Sequence, residues 1–262
     1  MEIKFKNILY KNMFKELNAN IKDSEITAII GKNGSGKTSI MDMIFGIETN
    51  FNGEIKIGKS AISKKNVLNI RNSIGYIRQN YDQDLFNVNV LEDIKYGSSN
   101  IDIKKLNELL ESFGLNEKIL DECYIDLSSG EKKKILIIKL LLSNKAIFLI
   151  DDVTKGLDSK SISTLVRLLK NEKRAGKIIV LTSTNSDFLL SVADSFIILE
   201  NKELKIYSNK YDVFTDERLL DSTKMCMPNV VNFKILAQNK GIKLLYRDNI
   251  NDLMKDIYRN AK

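Results

Sequence analysis

From residue 25 to residue 200 the chain alternates short apolar runs with longer stretches of helical period. The runs are EITAII (25–30), EIKI (54–57), AIFLI (146–150), KIIVLT (177–182) and SFIILE (195–200). AIFLI has no polar face, as a strand buried on both sides requires. In SKSISTLVRLLKNEKRAG (159–176), Ile162, Leu165, Leu168 and Leu169 fall on one helix face and Gly176 supplies a stop. Strands alternating with helices predict an α/β fold whose mostly parallel sheet is covered on both faces.

Two regions depart from that rhythm. Residues 100–142 carry helix-like sequence, IDIKKLNELLESFGL and then EKKKILIIKLLLSN, which predicts a helical subdomain of about 80–140 inserted between sheet strands. After about residue 209 short helical patterns surround the only proline, Pro228. The expected organisation is one α/β domain over 1–208 and a small helical appendage over 209–262.

Composition narrows the classes. The longest apolar stretches, such as ILIIKLLL (135–142), are broken by lysine and fall short of the ~20 residues of a membrane helix. The opening MEIKFKNILY has no long apolar run before a small-residue cleavage site, so no signal peptide is expected. The net charge is +7, but the lysines are scattered and no basic block is interleaved with aromatics, which argues against a nucleic-acid partner. Cys123 and Cys226 lie too far apart for a metal spacing and read as two reduced thiols. The chain contains no histidine, so any proton or charge chemistry falls to other side chains.

GKNGSGKT (31–38) is the strongest local signal. It follows the apolar strand ending at Ile30 and precedes a helical TSIMDMIF, the strand-to-helix setting in which G-x-x-x-x-G-K-[ST] cradles phosphates. Gly31, Gly34 and Gly36 let successive backbone N–H groups turn inward, and the helix N-terminus adds its unpaired donors. Lys37 supplies a point charge to the β and γ phosphates, and Thr38 offers a hydroxyl to Mg²⁺. Asn33, Ser35 and Ser39 complete the candidate nucleotide contacts here. At the end of AIFLI, Asp151 suits a Mg²⁺-water ligand and Asp152 is placed to orient an attacking water. The expected cofactors are ATP and Mg²⁺.

Three further stretches carry a family resemblance: NSIGYIRQNYDQDLFNVNVLEDIKYG (72–97), LSSGEKKK (127–134) and VTKGLD (153–158). With the two stretches above they resemble ATP-binding-cassette ATPases, having Walker A, Q-loop, signature, Walker B and D-loop in that order. The wording from Gln79 to Phe86 is most similar to the ATPase subunits of energy-coupling-factor transporters, which import vitamins and transition-metal ions. The resemblance implies a P-loop NTPase core with an inserted helical subdomain, and a C-terminal appendage that helps two ATPase subunits pair. It also implies a head-to-tail dimer with a second ATPase subunit around two ATP molecules. Integral membrane transporter subunits would complete the assembly, at the cytoplasmic face of the cell membrane. Ser128, Ser129, Gly130 and Glu131 would then meet the partner's nucleotide, although Ser128 and Glu131 also form a capping-box pattern. Gln79 would join Mg²⁺ and water to the mobile helical subdomain. Asp158 would contact the partner, with a helix N-cap an equal reading. Phe86, Val88, Val90 and Leu91 read either as a groove for a coupling helix or as buried residues. Tyr10 would stack on adenine, with Phe14 and Phe5 as competing aromatics.

The departures from that family concern catalysis. Asp152 stands where relatives carry Glu, Val153 where proline is common, and Ser129 where the signature has its first glycine. Counting ten residues back from Asp194 puts Thr184 at the switch-histidine position, with Asn185 the alternative. Asp152, Gln79 and Thr184 are the candidate catalytic set. A shortened carboxylate and an absent cation predict intact ATP binding with slow hydrolysis at the chain's own site. Competing readings are an exporter cassette, or a regulatory subunit that binds ATP without hydrolysing it. A clamp on DNA or ribosomes would ordinarily add long coiled-coil insertions or a second cassette, and neither is present.

Overall fold

The computed structural model describes residues 1–80, 89–96 and 101–260. Its strands are β1 (Glu2–Tyr10), β2 (Phe14–Lys22), β3 (Glu25–Gly31), β4 (Asn52–Ile57), β5 (Ser60–Ala61), β6 (Ile74–Ile77), β7 (Ile147–Ile150), β8 (Ile178–Leu181), β9 (Ser195–Glu200) and β10 (Glu203–Tyr207). Six of them form one sheet in the order β10-β9-β3-β8-β7-β6, parallel except for β10. The helices α1 (Lys37–Phe45), α2 (Val67–Asn72), α3 (Val90–Lys95), α4 (Ile103–Ser112), α5 (Ser129–Leu142), α6 (Ser159–Arg174) and α7 (Ser186–Val192) fall between these strands. Four more, α8 (Lys210–Phe214), α9 (Glu217–Thr223), α10 (Asn229–Asn239) and α11 (Ile250–Asn260), follow β10.

Alternation along the central strands builds two cores. Ile26, Ala28 and Ile30 of β3, Phe148 and Ile150 of β7, and Ile179 and Leu181 of β8 face one apolar cluster, which also takes in Leu165 and Leu169 of α6. Ile29, Ile147, Leu149, Ile178 and Val180 face the other, shared with Ile40, Met41, Met43 and Ile44 of α1. Both faces of these strands are therefore covered, and the uniformly apolar runs follow.

The second core has an outer wall that the apolar runs did not announce, apart from EIKI. β2, β1, β4 and β5 form a four-stranded antiparallel sheet. Ile3, Phe5, Ile8 and Tyr10 of β1 point inward, but the pairing register shifts between Phe5 and Ile8, where Asn7 has φ 51°. That bulge breaks the two-residue alternation and lets EIKFKNILY pass for an irregular stretch.

Among the described residues between β6 and β7 lie α3, α4, two short 3₁₀ turns and α5. Asp93 of α3 is fully buried and accepts from both Lys139 Nζ, at 2.8 Å to each oxygen, and Tyr124 Oη at 2.8 Å. Val90 is buried and Leu91 partly buried, so these two pack inward instead of lining an open groove. Phe86 and Val88 lie outside the described residues.

Candidate nucleotide site

The C-terminal ends of β3, β6, β7 and β8 open on one side of the sheet, where α/β folds place ligands. A cleft of about 690 Å³ lies there, lined by the loop after β3, by Gln79, by Asp151 and Asp152, and by Thr182 to Thr184.

The loop geometry requires glycine at two points. Gly36, the left-handed N-cap of α1 at φ 100°, lies so close to Phe14 that a Cβ would sit 2.4 Å from the ring. A Cβ on Gly31 would meet Ser35 Oγ at 2.5 Å and Leu199 O at 2.9 Å. Lys37 Nζ folds back to donate to the carbonyls of Gly31 (2.7 Å) and Lys32 (2.9 Å). Burial lowers its pKa, while the charges of Asp151 and Asp152 act in the opposite sense. Ser35 Oγ is buried without a hydrogen-bond partner among the described residues, an unsatisfied group that a phosphate oxygen would satisfy. Asn33, Gly34 and Ser39 line the same cleft, and Ser39 Oγ lies 3.7 Å from Met13 Sδ.

Asp151 is gripped from two sides. Thr38 Oγ1 donates to Oδ2 and Thr182 Oγ1 to Oδ1, each at 2.5 Å. Thr182 Oγ1 also accepts the backbone N–H of Asp152 at 2.7 Å, and the N–H of Val153 donates to the Thr182 carbonyl at 3.1 Å. Asp152 itself sits at φ 53°. One carboxylate, one hydroxyl and the amide of exposed Gln79 form a hard-oxygen donor set, suited to Mg²⁺ shared with phosphates. Among the described residues there is no larger acidic or His/Cys cluster that could cage a metal alone.

Thr184 is exposed to the cleft, whereas Asn185 is committed elsewhere as the N-cap of α7, accepting from Phe188 N–H at 2.9 Å. Of the two candidates for the switch position, Thr184 faces the cleft.

The aromatic assignment needs correction. Tyr10 is 4% exposed, stacks on Phe14 and donates to Glu48 Oε2 at 2.6 Å. Phe5 and Phe14 are equally buried. The turn between β1 and β2 is only three residues long, and it directs Met13 instead to the cleft and to an adjoining hollow. Met13, not Tyr10, is the residue of this turn region that lines the cleft.

Ser128, Ser129, Gly130 and Glu131 do not line the cleft. They form the N-terminus of α5, where Ser128 and Glu131 make a complete capping box. Glu131 accepts from Ser128 Oγ (2.6 Å) and N–H (3.0 Å), and these bonds lower its pKa. Asp158 is the N-cap of α6, accepting from Ser161 N–H at 2.8 Å, and also pairs with Lys134 of α5 at 2.9 Å. The Ser161 N–H first, and then Lys134, hold its carboxyl well below the usual range. Both readings of Ser128 and Asp158 therefore retain their helix-capping component.

Two features escape sequence reasoning. Thr182 reads as the polar end of a strand, and its bridge between Asp151 and Asp152 depends on the register of β7 against β8. Lys133 of α5 is 2% exposed, and burial pushes its ammonium down to about 8 despite the opposing charges of Asp152 and Asp151. In a run of three lysines nothing distinguishes it, except its place one turn before Ile137 on the buried face of α5.

The family described as ABC transporter matches residues 14–155, just over half of the chain. The chain belongs to the ABC transporter family. Among its relatives is the energy-coupling factor transporter ATP-binding protein EcfA1 of Fusobacterium nucleatum, 30% identical over 96% of each chain. Another is EcfA2 of Streptococcus agalactiae, 28% identical over 93% of this chain and 94% of the relative. The solved structure of cbiO1 from Clostridium perfringens, described as part of the ABC transporter complex cbiONQ, is 26% identical with a TM-score of 0.69. It covers 88% of this chain and 97% of its own. A cassette of an Atm1-family exporter shares the fold, with a TM-score of 0.74 at 19% identity over 85% of this chain and 41% of its own. As a member of this family the chain is an ABC ATPase and binds ATP.

Proposed function

We propose that this chain is the ATP-binding subunit of an importer of the energy-coupling-factor type, attached to the cytoplasmic face of the membrane. It couples ATP binding and hydrolysis to solute uptake through integral membrane subunits. Among the described residues no helix is long and apolar enough to cross a membrane, so the passage would belong to those partners. The observation that carries this reading is the division of the site. The phosphate loop, Thr38 and Asp151 meet in one cleft, while the capping-box end of α5 lies apart from it. A second subunit placed head to tail would bring its own α5 N-terminus, the positive end of that helix dipole, to this nucleotide.

Within the chain, backbone N–H groups of residues 33–38 and the ammonium of Lys37 hold the phosphates. Thr38, Asp151 and Gln79 would hold Mg²⁺, which would supply positive charge to neutralise the phosphates. Thr182 fixes the Asp151 carboxylate for that task. Asp152 would orient the attacking water, but its carboxylate is one methylene short of glutamate and its backbone is left-handed. Thr184 offers no positive charge to the transition state. Hydrolysis at this site is therefore slow, and α5 serves the partner's site.

The test is calorimetry with MgATP on the full chain, followed by identification of what co-purifies from detergent-solubilised membranes. The expected result is saturable binding that Lys37→Ala removes, together with a second cassette and a small substrate-binding membrane protein. Absence of heat, or co-purification with an exporter, overturns it.

A further inference from the structure

Helix α9 belongs to the C-terminal appendage, yet its end reaches the nucleotide cleft. Leu219, Leu220 and Thr223 are buried, and Thr223, Lys224 and Met225 line the same cleft as Thr38, Asp151 and Thr184. The helix ends in a tight turn in which Met225 N–H donates to the Leu220 carbonyl (3.0 Å) and Lys224 N–H to that of Asp221 (3.3 Å). Lys224 occupies the left-handed position of that turn, at φ 59° and ψ 33°. Glycine is the usual residue there because a Cβ is strained in that conformation. A lysine thus stands where the backbone disfavours it, and its side chain is exposed at the cleft.

The charge inventory gives that lysine a use. The other lysines that line the cleft, Lys32 and Lys37, both belong to the phosphate loop, and Lys37 is folded onto loop carbonyls. Across from them, Thr184 is neutral and the chain has no histidine. Among the described residues no ion pair engages the Lys224 ammonium. Its four-carbon stem gives a mobile point charge several ångströms of reach.

We propose that Lys224 contacts the terminal phosphate of the bound nucleotide and supplies, from the appendage, the positive charge that Thr184 lacks. This rests on the reading of the cleft as the site for MgATP. The phosphate meant is the γ-phosphate, so the contact discriminates ATP from ADP, which has no group at that position for Lys224 to meet. The appendage is then tied directly to nucleotide state.

The experiment measures MgATP and MgADP binding by calorimetry for the full chain and for Lys224→Met, Lys224→Arg and Lys224→Gly. Loss of a charge-assisted contact is expected to weaken MgATP roughly tenfold in the methionine variant, with MgADP changed less than about twofold. Arginine should retain most of the MgATP affinity. Glycine should lose it as methionine does while melting no lower than the parent, which separates contact loss from unfolding. Equal losses for both nucleotides, or unchanged MgATP binding by Lys224→Met, would overturn the proposal while leaving the cleft reading intact. A parent chain that binds no MgATP would remove both.

Discussion

The backbone N–H of Asp152 donates to Thr182 Oγ1 at 2.7 Å, and that hydroxyl in turn donates its hydrogen bond to Asp151 Oδ1 at 2.5 Å. One threonine at the end of β8 thereby sets the conformation of both acids at the end of β7. The neighbouring Val153 N–H, bonded to the Thr182 carbonyl, completes the clamp. A proline at 153 would lack that donor and would push residue 152 towards extended backbone, away from φ 53°. The departures at 152 and 153 therefore form one structural unit: aspartate tolerates the left-handed conformation that valine permits.

Thr182→Val keeps the shape but removes the hydroxyl, leaving a buried N–H and a carboxylate oxygen without their partner. A loss of about 1–3 kcal/mol in unfolding free energy is expected, with Thr182→Ser close to the parent. Urea denaturation of the three proteins measures it.

Restoring Asp152→Glu and Thr184→His together should raise single-turnover hydrolysis at this site by roughly tenfold or more, since misplacement by a methylene alone can cost ~10²-fold. Rapid-quench measurement on a dimer whose second site is disabled reads the effect. An unchanged rate would mean that the left-handed turn, and not the side chains, limits the site.

Lys133 carries a pH signature. Its ammonium sits at about 8 in the folded chain, against 10.5 as an ordinary lysine. Between those values the unfolded chain binds more protons, so this residue makes stability rise with pH across that window. Below about pH 8 the full cost, about 3 kcal/mol, is present. Lys133→Met should be the more stable protein at pH 7, with the advantage shrinking towards pH 10. Urea midpoints at pH 7, 8.5 and 10 check both statements.

Asp93→Ala should destabilise by about 3–5 kcal/mol, because Lys139 and the Tyr124 hydroxyl would lose the buried anion that satisfies them. Thermal unfolding of the variant tests this, and nucleotide binding at the cleft should survive wherever the chain remains folded.

The cassette core was legible because its signals are local. GKNGSGKT sits between a strand and a helix, and the apolar strands announce a doubly covered sheet. Residues whose role depends on register or on distant packing were not legible. By residue type Tyr10 suits base stacking, yet it is buried beside a three-residue turn and Met13 lines the cleft instead. The β1 bulge concealed the antiparallel sheet. Thr182 and Lys224 reach the cleft only after β8 has been laid beside β7 and α9 folded back over the sheet.

The distance kept between the cleft and the leading end of α5 has a kinetic corollary. Under the proposed head-to-tail pairing a solitary copy holds only one wall of each reaction chamber, and the other wall arrives by collision with a second subunit. Turnover by dilute, unpaired subunits should climb with the product of the two subunits' concentrations and become linear once most copies are mated.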